Sequence, residues 1–216
     1  MDVVVIGGHG KVALRLSALL VSGGDAVTSL IRNPDHADDV AATGATPVVA
    51  DVESLHTDGI AEILRGHDAV VWSAGAGGGD PRRTFAVDRE AAIRSMDAAE
   101  SVGVRRYVMV SYFGAGPDHG VPDDHSFQAY AEAKAAADGY LATTGLDWTI
   151  LGPGTLTDEP GTGEIGIGAE ATTSDVPRDD VAAVAAAVLH APHTTGHRID
   201  FNSGSTPIGT AIAALG

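Results

Sequence analysis

The sequence predicts an α/β protein, a doubly wound parallel sheet with helices on both faces. Three observations carry this. Short runs rich in β-branched residues alternate with helical patterns from end to end. The links between them are mostly short. The first run, Val3-Val4-Val5-Ile6, ends in glycines that open a helix. Such alternation implies parallel strands joined by right-handed crossovers. The expected strand order is 3-2-1-4-5-6-7, with ligands bound beyond the carboxyl ends of the strands near the point where the order reverses.

The elements follow in order. Residues 2–6 form the first strand and 10–22 the first helix, closed by Ser22-Gly23-Gly24-Asp25 with a glycine stop. Residues 26–31 are the second strand, ending in Arg32-Asn33-Pro34, and a helix at 35–43 stops at Gly44. Residues 46–50 are the third strand, and Ser54 is the expected cap of a helix reaching residue 64. Residues 69–72 are the fourth strand, ending in Ser73-Ala74-Gly75 before a glycine-rich loop to Pro81 that is flexible by composition. A long helix spans 84–101, and the fifth strand, 107–110, ends at Ser111. Residues 112–126 form a polar loop, 128–143 a helix, and 148–151 the sixth strand, ending in Gly152-Pro153-Gly154. Residues 155–175 read as irregular, so that 152–177 is expected to be a short irregular segment on the substrate side. A helix at 178–189, a strand at 198–201 and a last helix at 207–215 complete one expected domain over residues 1–216.

The chain has 216 residues, and 44% of them are hydrophobic, which is enough for a substantial core. No stretch approaches the ~18 uninterrupted apolar residues of a membrane span. No signal peptide precedes the first strand, so a cytoplasmic location is expected. There are no cysteines, which excludes disulfides, thiolate catalysis and cysteine-ligated metals. The formal net charge of −16 argues against nucleic acid and anionic membrane as partners. Lysine occurs only at Lys11 and Lys134.

The candidate functional residues stand just after the strands. Gly7, Gly10 and Ala13 follow the pattern G-x-x-G-x-x-A. Gly7 suits a sharp turn, Gly10 a close approach of pyrophosphate, and Ala13 close packing of helix on strand. The free N–H groups of the helix start would face phosphate. The candidate cofactor-binding turn is therefore Gly7, Gly8, His9, Gly10, Lys11 and Val12. Arg32 stands where such folds discriminate between cofactors, and an arginine there suits the 2′-phosphate of NADP, making NAD the less favoured cofactor. Asp51, with Val52, is placed to accept from an adenine amino group or, alternatively, to complement a helix dipole. Ser73, Ala74 and Gly75 offer small side chains where backbone passes the cofactor ribose, and Pro153 and Gly154 are expected beside the nicotinamide.

Tyr130 and Lys134 form Y-x-x-x-K on a helix, and so lie on one face. The lysine's charge is expected to lower the phenol's pKa and aid proton transfer, while its ammonium holds the ribose. Ser111 is placed to hydrogen-bond the same substrate carbonyl. In the 112–126 loop, His119 and His125 flank Asp123-Asp124. Such a set could bind a divalent metal, but a solvated loop is favoured and no metal is expected. Phe113 and Phe127 are candidate apolar walls. Arg178 reads as a helix-start ion pair and Asp179 or Asp180 as a cap.

Gly7-x-x-Gly10-x-x-Ala13, Arg32, Asp51, Ser111 and Tyr130-x-x-x-Lys134 together resemble the short-chain dehydrogenase/reductase superfamily. The segments 87–91, 145–154 and 156–163, with Arg178-Asp179-Asp180-Val181-Ala182, are similar to its atypical members, the NAD(P)-dependent epimerase-like and NAD(P)H-binding proteins. The resemblance covers essentially the whole chain. It implies a Rossmann-type fold, NADP at the glycine loop, and a Ser111–Tyr130–Lys134 set coupling hydride to proton transfer. It also implies that Asp88 stands at the position of the asparagine in better-known members, where a carboxylate cannot donate as an amide does. Where many relatives carry arginine before the strand-six proline, this chain has Gly152. The expected activity is that of an NADP-dependent oxidoreductase or epimerase-like enzyme acting on a small carbonyl or hydroxyl compound. A non-catalytic NADP(H) sensor and a flavin- or quinone-type reductase that does not use the tyrosine are the alternatives, and a homo-oligomer is compatible with all three.

Overall fold

In the computed structural model, which describes residues 1–216 except Gly78 and Thr172, the sheet is built outward from β1 (Asp2–Ile6). Val3 and Val5 pack into one core, Val4 and Ile6 into the other, and all four are fully buried. A strand covered on both faces explains the unbroken apolar run, because neither side of the pleat meets water.

The chain runs from β1 through α1 (Lys11–Ser22), β2 (Ala26–Ile31), α2 (Ala37–Ala41), β3 (Thr46–Val49), α3 (Thr57–Leu64) and β4 (Ala69–Trp72). α4 (Pro81–Thr84), a π-helical segment Phe85–Ala91 and α5 (Ala92–Val102) follow without a break. β5 (Arg106–Val110), α6 (Gln128–Leu141) and β6 (Asp147–Pro153) come next. The last part holds β7 (Thr155–Thr157), β8 (Glu164–Ile167), β9 (Asp175–Pro177), α7 (Arg178–Leu189), β10 (His197–Ser203), β11 (Thr206–Pro207) and α8 (Ile208–Ala213).

The sheet order is β3-β2-β1-β4-β5-β6-β10-β8-β11. The seven strands expected from the sequence take the expected order, β10 being the seventh and parallel to β6. β8 and β11 extend that edge with antiparallel pairing. Residues 155–175 are therefore not simply irregular. They carry β8 and, in β7 and β9, a separate two-stranded parallel ribbon. These strands are three to four residues long, too short to show periodicity.

Two capping expectations are also corrected. Ser54 does not cap α3: its hydroxyl donates to Asp51 O, and the helix begins at Thr57. Asp179 and Asp180 do not cap α7. Their carboxylates accept from Gly161 N and from Thr162 N and Gly163 N, so they fasten the 161–163 segment to the helix. Of the glycine-rich loop, Gly78 lies outside the described residues. Among the described residues no helix is long and apolar enough to cross a membrane.

Candidate functional site

The sheet order reverses between β1 and β4, and a cleft of about 300 Å3 opens there. Its floor is backbone. Gly7 has φ +87°, a conformation that suits glycine. A Cβ on Gly7 would also lie 2.5 Å from Ala74 Cα, so the β1 and β4 turns touch main chain to main chain. Gly8 packs as tightly on Ser29, where a Cβ would lie 2.6 Å from that residue's own Cβ. Gly10 donates to Gly7 O at 2.8 Å and caps α1 with no side-chain partner for the helix's first N–H groups. No acidic residue stands in the first turn of α1. That leaves an open, dipole-positive helix start in the cleft.

Gly7, His9, Gly10, Arg32, Asp51, Val52, Ser73, Ala74 and Gly75 all line this cleft. Val12 is buried in the core on α1 and is not among the residues lining the cleft. Arg32 is more than half exposed, 3.9 Å from Glu53. Asp51 accepts from Glu53 N at 3.1 Å, holding the turn after β3. The His9 ring stacks on His36 with centroids 3.6 Å apart and pairs with Asp39 at 2.8 Å. Lys11 departs from its expected role. Its ammonium donates to Asp158 at 2.6 Å, away from the cleft lining. It belongs to an exposed network in which Arg178 also meets Asp158, at 3.0 Å, and Arg15 meets Asp179. Arg83 was not anticipated. It lines the cleft, donates to Ala76 O at 2.6 Å and pairs with Glu53 at 3.2 Å.

Beside the cleft lies a cavity of about 680 Å3, lined by Ser111, Tyr112, Phe113, Phe127, Tyr130, Pro153 and Gly154 with the β7 and β8–β9 segments. Tyr112, Phe127 and Tyr130 form a ring cluster with centroids 5.1 to 5.7 Å apart. Tyr130 also borders a second opening, shared with Gly75 and Gly77, so it stands between the β4 turn and the cavity. Phe113 and Phe127 both line this cavity. His119 and His125 each accept a backbone N–H two residues on, from Val121 and Phe127 at 3.1 Å; they shape turns.

The polar set beneath differs from expectation in three respects. Lys134 is fully buried, and its Nζ donates to Val110 O at 2.7 Å and to Met109 Sδ. It lines neither the cleft nor the cavity, so it does not present its ammonium to a ribose in this state. Burial lowers its pKa, while Asp138 and Asp88 oppose that shift. Tyr130 is not acidified by this lysine: its pKa is well above the ordinary value, through burial first and then the charges of Asp88 and Asp138. Ser111 donates to Asp138 Oδ2 at 2.5 Å rather than holding its proton free.

Asp88 sits buried in the π-helical segment, a distortion found often at functional sites. One carboxylate oxygen accepts from Ala76 N at 3.0 Å, and the other is buried without a partner among the described residues. Burial raises its pKa, with Lys134 opposing. Asp88 thus ties the β4 turn to the helix. Gly152 carries no side chain because a Cβ there would run into the Asp200 carboxylate, which explains the missing arginine sterically.

Asp138 and Arg198 were missed by the sequence reading. Arg198 donates to Asp138 at 3.0 Å, to Tyr112 O at 2.7 Å and to Asp200 at 3.0 Å. The signal for Asp138 was present: it follows Tyr130 and Lys134 by eight and four residues on a stripe otherwise made of Ala137 and Leu141. A carboxylate on a buried stripe needs a partner. Nothing local pointed to Arg198.

Residues 7–192 match the model of an NAD(P)H-binding family. The chain is 33% identical to the uncharacterized sugar epimerase YhfK of Bacillus subtilis, over all of both chains. Among solved structures, an NAD-dependent epimerase/dehydratase-type protein from Bacillus halodurans is 32% identical with a TM-score of 0.90, covering 99% of each chain. The oxidoreductase ylbE from Lactococcus lactis is 29% identical with a TM-score of 0.88, covering 100% of this chain and 96% of that one.

Proposed function

The chain belongs to the NAD(P)H-binding family, and on that premise we propose that it is an NADP-dependent oxidoreductase or epimerase-like enzyme for a small carbonyl or hydroxyl compound. One observation carries the reading: a backbone-floored cleft with an uncapped helix start meets, at Gly75, a second opening that Tyr130 shares with the aromatic cavity, and burial keeps that tyrosine protonated.

The residues present fit a dinucleotide. The Gly7–Ala74 approach leaves no room for side chains where a pyrophosphate would lie, and the open N–H groups of α1 suit its charge. Arg32 would take the 2′-phosphate, with Arg83 the second cation on the cleft wall. Asp51 would accept from the adenine amino group. Lys11 has no part in this reading. When bound, the nicotinamide supplies or accepts hydride. Tyr130 stays protonated across the ordinary pH range and donates to the substrate oxygen as charge develops there. Lys134 and Asp88 flank the tyrosine from below, with Asp88 fixing the β4 turn.

The test is kinetic. Wild type should consume NADPH with a carbonyl substrate in preference to NADH, and Tyr130→Phe should lower kcat by roughly 100-fold or more while cofactor affinity holds. Full turnover by the variant would reject the tyrosine role and favour a reductase that does not use it.

A second reading is a non-catalytic NADP(H) sensor. It is favoured by one observation: Lys134 is turned onto Val110 O and Ser111 is engaged by Asp138, so neither polar group points its proton at the cavity. Saturable NADPH binding with no oxidation across carbonyls and quinones would establish it.

A further inference from the structure

A serine hydroxyl has one proton, and Ser111 gives it to Asp138 Oδ2 between two buried side chains. Asp138 is held in place. The same Oδ2 accepts from Arg198 Nη1 at 3.0 Å. The guanidinium is fixed in turn by Tyr112 O and Asp200 Oδ1, and Asp200 Oδ2 takes Gly114 N–H at 3.2 Å. Lys134 adds a positive charge one turn away on α6. Both the serine hydroxyl and the guanidinium donate to this carboxylate oxygen, which serves as an acceptor. Ser111 nonetheless lines the cavity, and what its oxygen offers there is lone pairs. No charged side chain lines that cavity among the described residues.

We propose that, in a cavity whose lining also holds Tyr112, Thr155, Thr173, Ser174 and Asn202, Tyr130 Oη acts as donor and Ser111 Oγ as acceptor, so that the site takes a neutral hydroxy-carbonyl compound, its carbonyl oxygen on Tyr130 and its adjacent hydroxyl donating to Ser111. Asp138 is the positioning residue that sets this polarity, with Arg198 as its anchor. The inference rests on the reading of the Tyr130 cavity as the substrate site, and it names the substrate class. Tyr112 Oη, buried and without a partner among the described residues, lies on a ring of the same wall and is a further polar group for an oxygen-rich ligand.

The experiment compares α-hydroxyacetophenone with acetophenone, two flat neutral probes that differ by one hydroxyl. Equilibrium binding is measured calorimetrically alongside NADPH consumption. Wild type should bind the hydroxy ketone about tenfold more tightly. Ser111→Ala, which leaves the Asp138–Arg198 pair intact, should abolish that preference by raising Kd and KM for the hydroxy ketone alone. Asp138→Asn should shrink it, since an amide can donate to Ser111 and turn the serine proton toward the cavity. Should Asp138→Asn fail to fold, the Ser111→Ala comparison decides alone. Equal binding of both probes by wild type, no binding of either, a preference surviving in Ser111→Ala, or equal weakening of both probes by that variant would overturn the proposal. A binding preference without NADPH consumption would uphold it and instead reject the hydride-transfer reading.

Discussion

The cleft between β1 and β4 takes its shape from main chain around Gly7, Gly10 and Ser73–Gly75, whereas the Tyr130 cavity takes its shape from side chains arriving from α6, the end of β5 and the far strand β10. Of the cleft's charged groups, Arg32 is more than half exposed and 3.9 Å from Glu53, which Arg83 holds at 3.2 Å. The charged groups beneath the cavity, Lys134, Asp138 and Asp88, are buried. A pocket made of backbone tolerates no added side-chain atoms but is largely indifferent to surface charge. A pocket standing on buried charges is sensitive to each proton placed among them, because the low dielectric strengthens every pairing and every omission.

Substitutions separate the two modes. The largest effect is expected at Gly7→Ala, where the new Cβ meets Ala74 Cα at 2.5 Å in a left-handed conformation. Strain and overpacking together should cost about 3 kcal/mol of stability, read by denaturant titration, and NADPH binding should weaken with it. A near-neutral outcome would mean that the β1 and β4 turns are not locked together.

Arg32→Ala touches the exposed side of the same cleft. Its effect should be selective: about a tenfold rise in Kd for NADPH with little change for NADH, measured by fluorescence titration. Equal losses for both cofactors would remove the 2′-phosphate assignment.

Asp88→Asn probes the buried side through pH. Burial raises the Asp88 pKa, so the folded protein holds this proton to higher pH than the unfolded chain does. The associated stability is fully present below the ordinary carboxylate range and is lost as pH rises through the raised value. Asn keeps an acceptor for Ala76 N and cannot ionise. The variant should therefore lose less stability than wild type as pH climbs through that window, a difference readable in thermal midpoints across a pH series. Parallel curves would show that Asp88 is ionised at no local cost.

The smallest effect is expected at Lys11→Ala. Both partners of its ion pair with Asp158 are more than half exposed, and such pairs contribute little. Neither the unfolding midpoint nor NADPH affinity should move measurably. A clear loss of affinity would restore Lys11 to the phosphate site.

Much of the fold could be read from the chain because it is encoded locally. Val3–Ile6 announced a doubly covered strand, and Gly103, with φ +78°, stops α5 where the pattern ended. β8 and β11 escaped notice because such short edge strands depend on pairing, β8 with β10 and β11 with β8, rather than on their own residues. Ser54 and Asp180 are residue types that cap helices, yet a local turn onto Asp51 O claimed the first and the 161–163 segment claimed the second. Within the site, Gly7, Arg32, Asp51 and Tyr130 were identifiable since each follows a strand or occupies a helix at a telling spacing.

The sequence by itself determined the alternation of strands and helices, the glycine turn and the stripe of Tyr130, Lys134 and Asp138 on one helix face. These follow from propensity, periodicity and turn chemistry, which act over a few residues. Only the tertiary structure decided where the protons and charges point: Lys11 onto Asp158, Lys134 onto Val110 O, and Ser111 onto an aspartate anchored by Arg198, 60 residues further along the chain. The physical reason is that a hydrogen bond is settled by which partner packing brings within about 3 Å. In a parallel sheet that partner stands on a neighbouring strand or a crossover helix, far away in sequence.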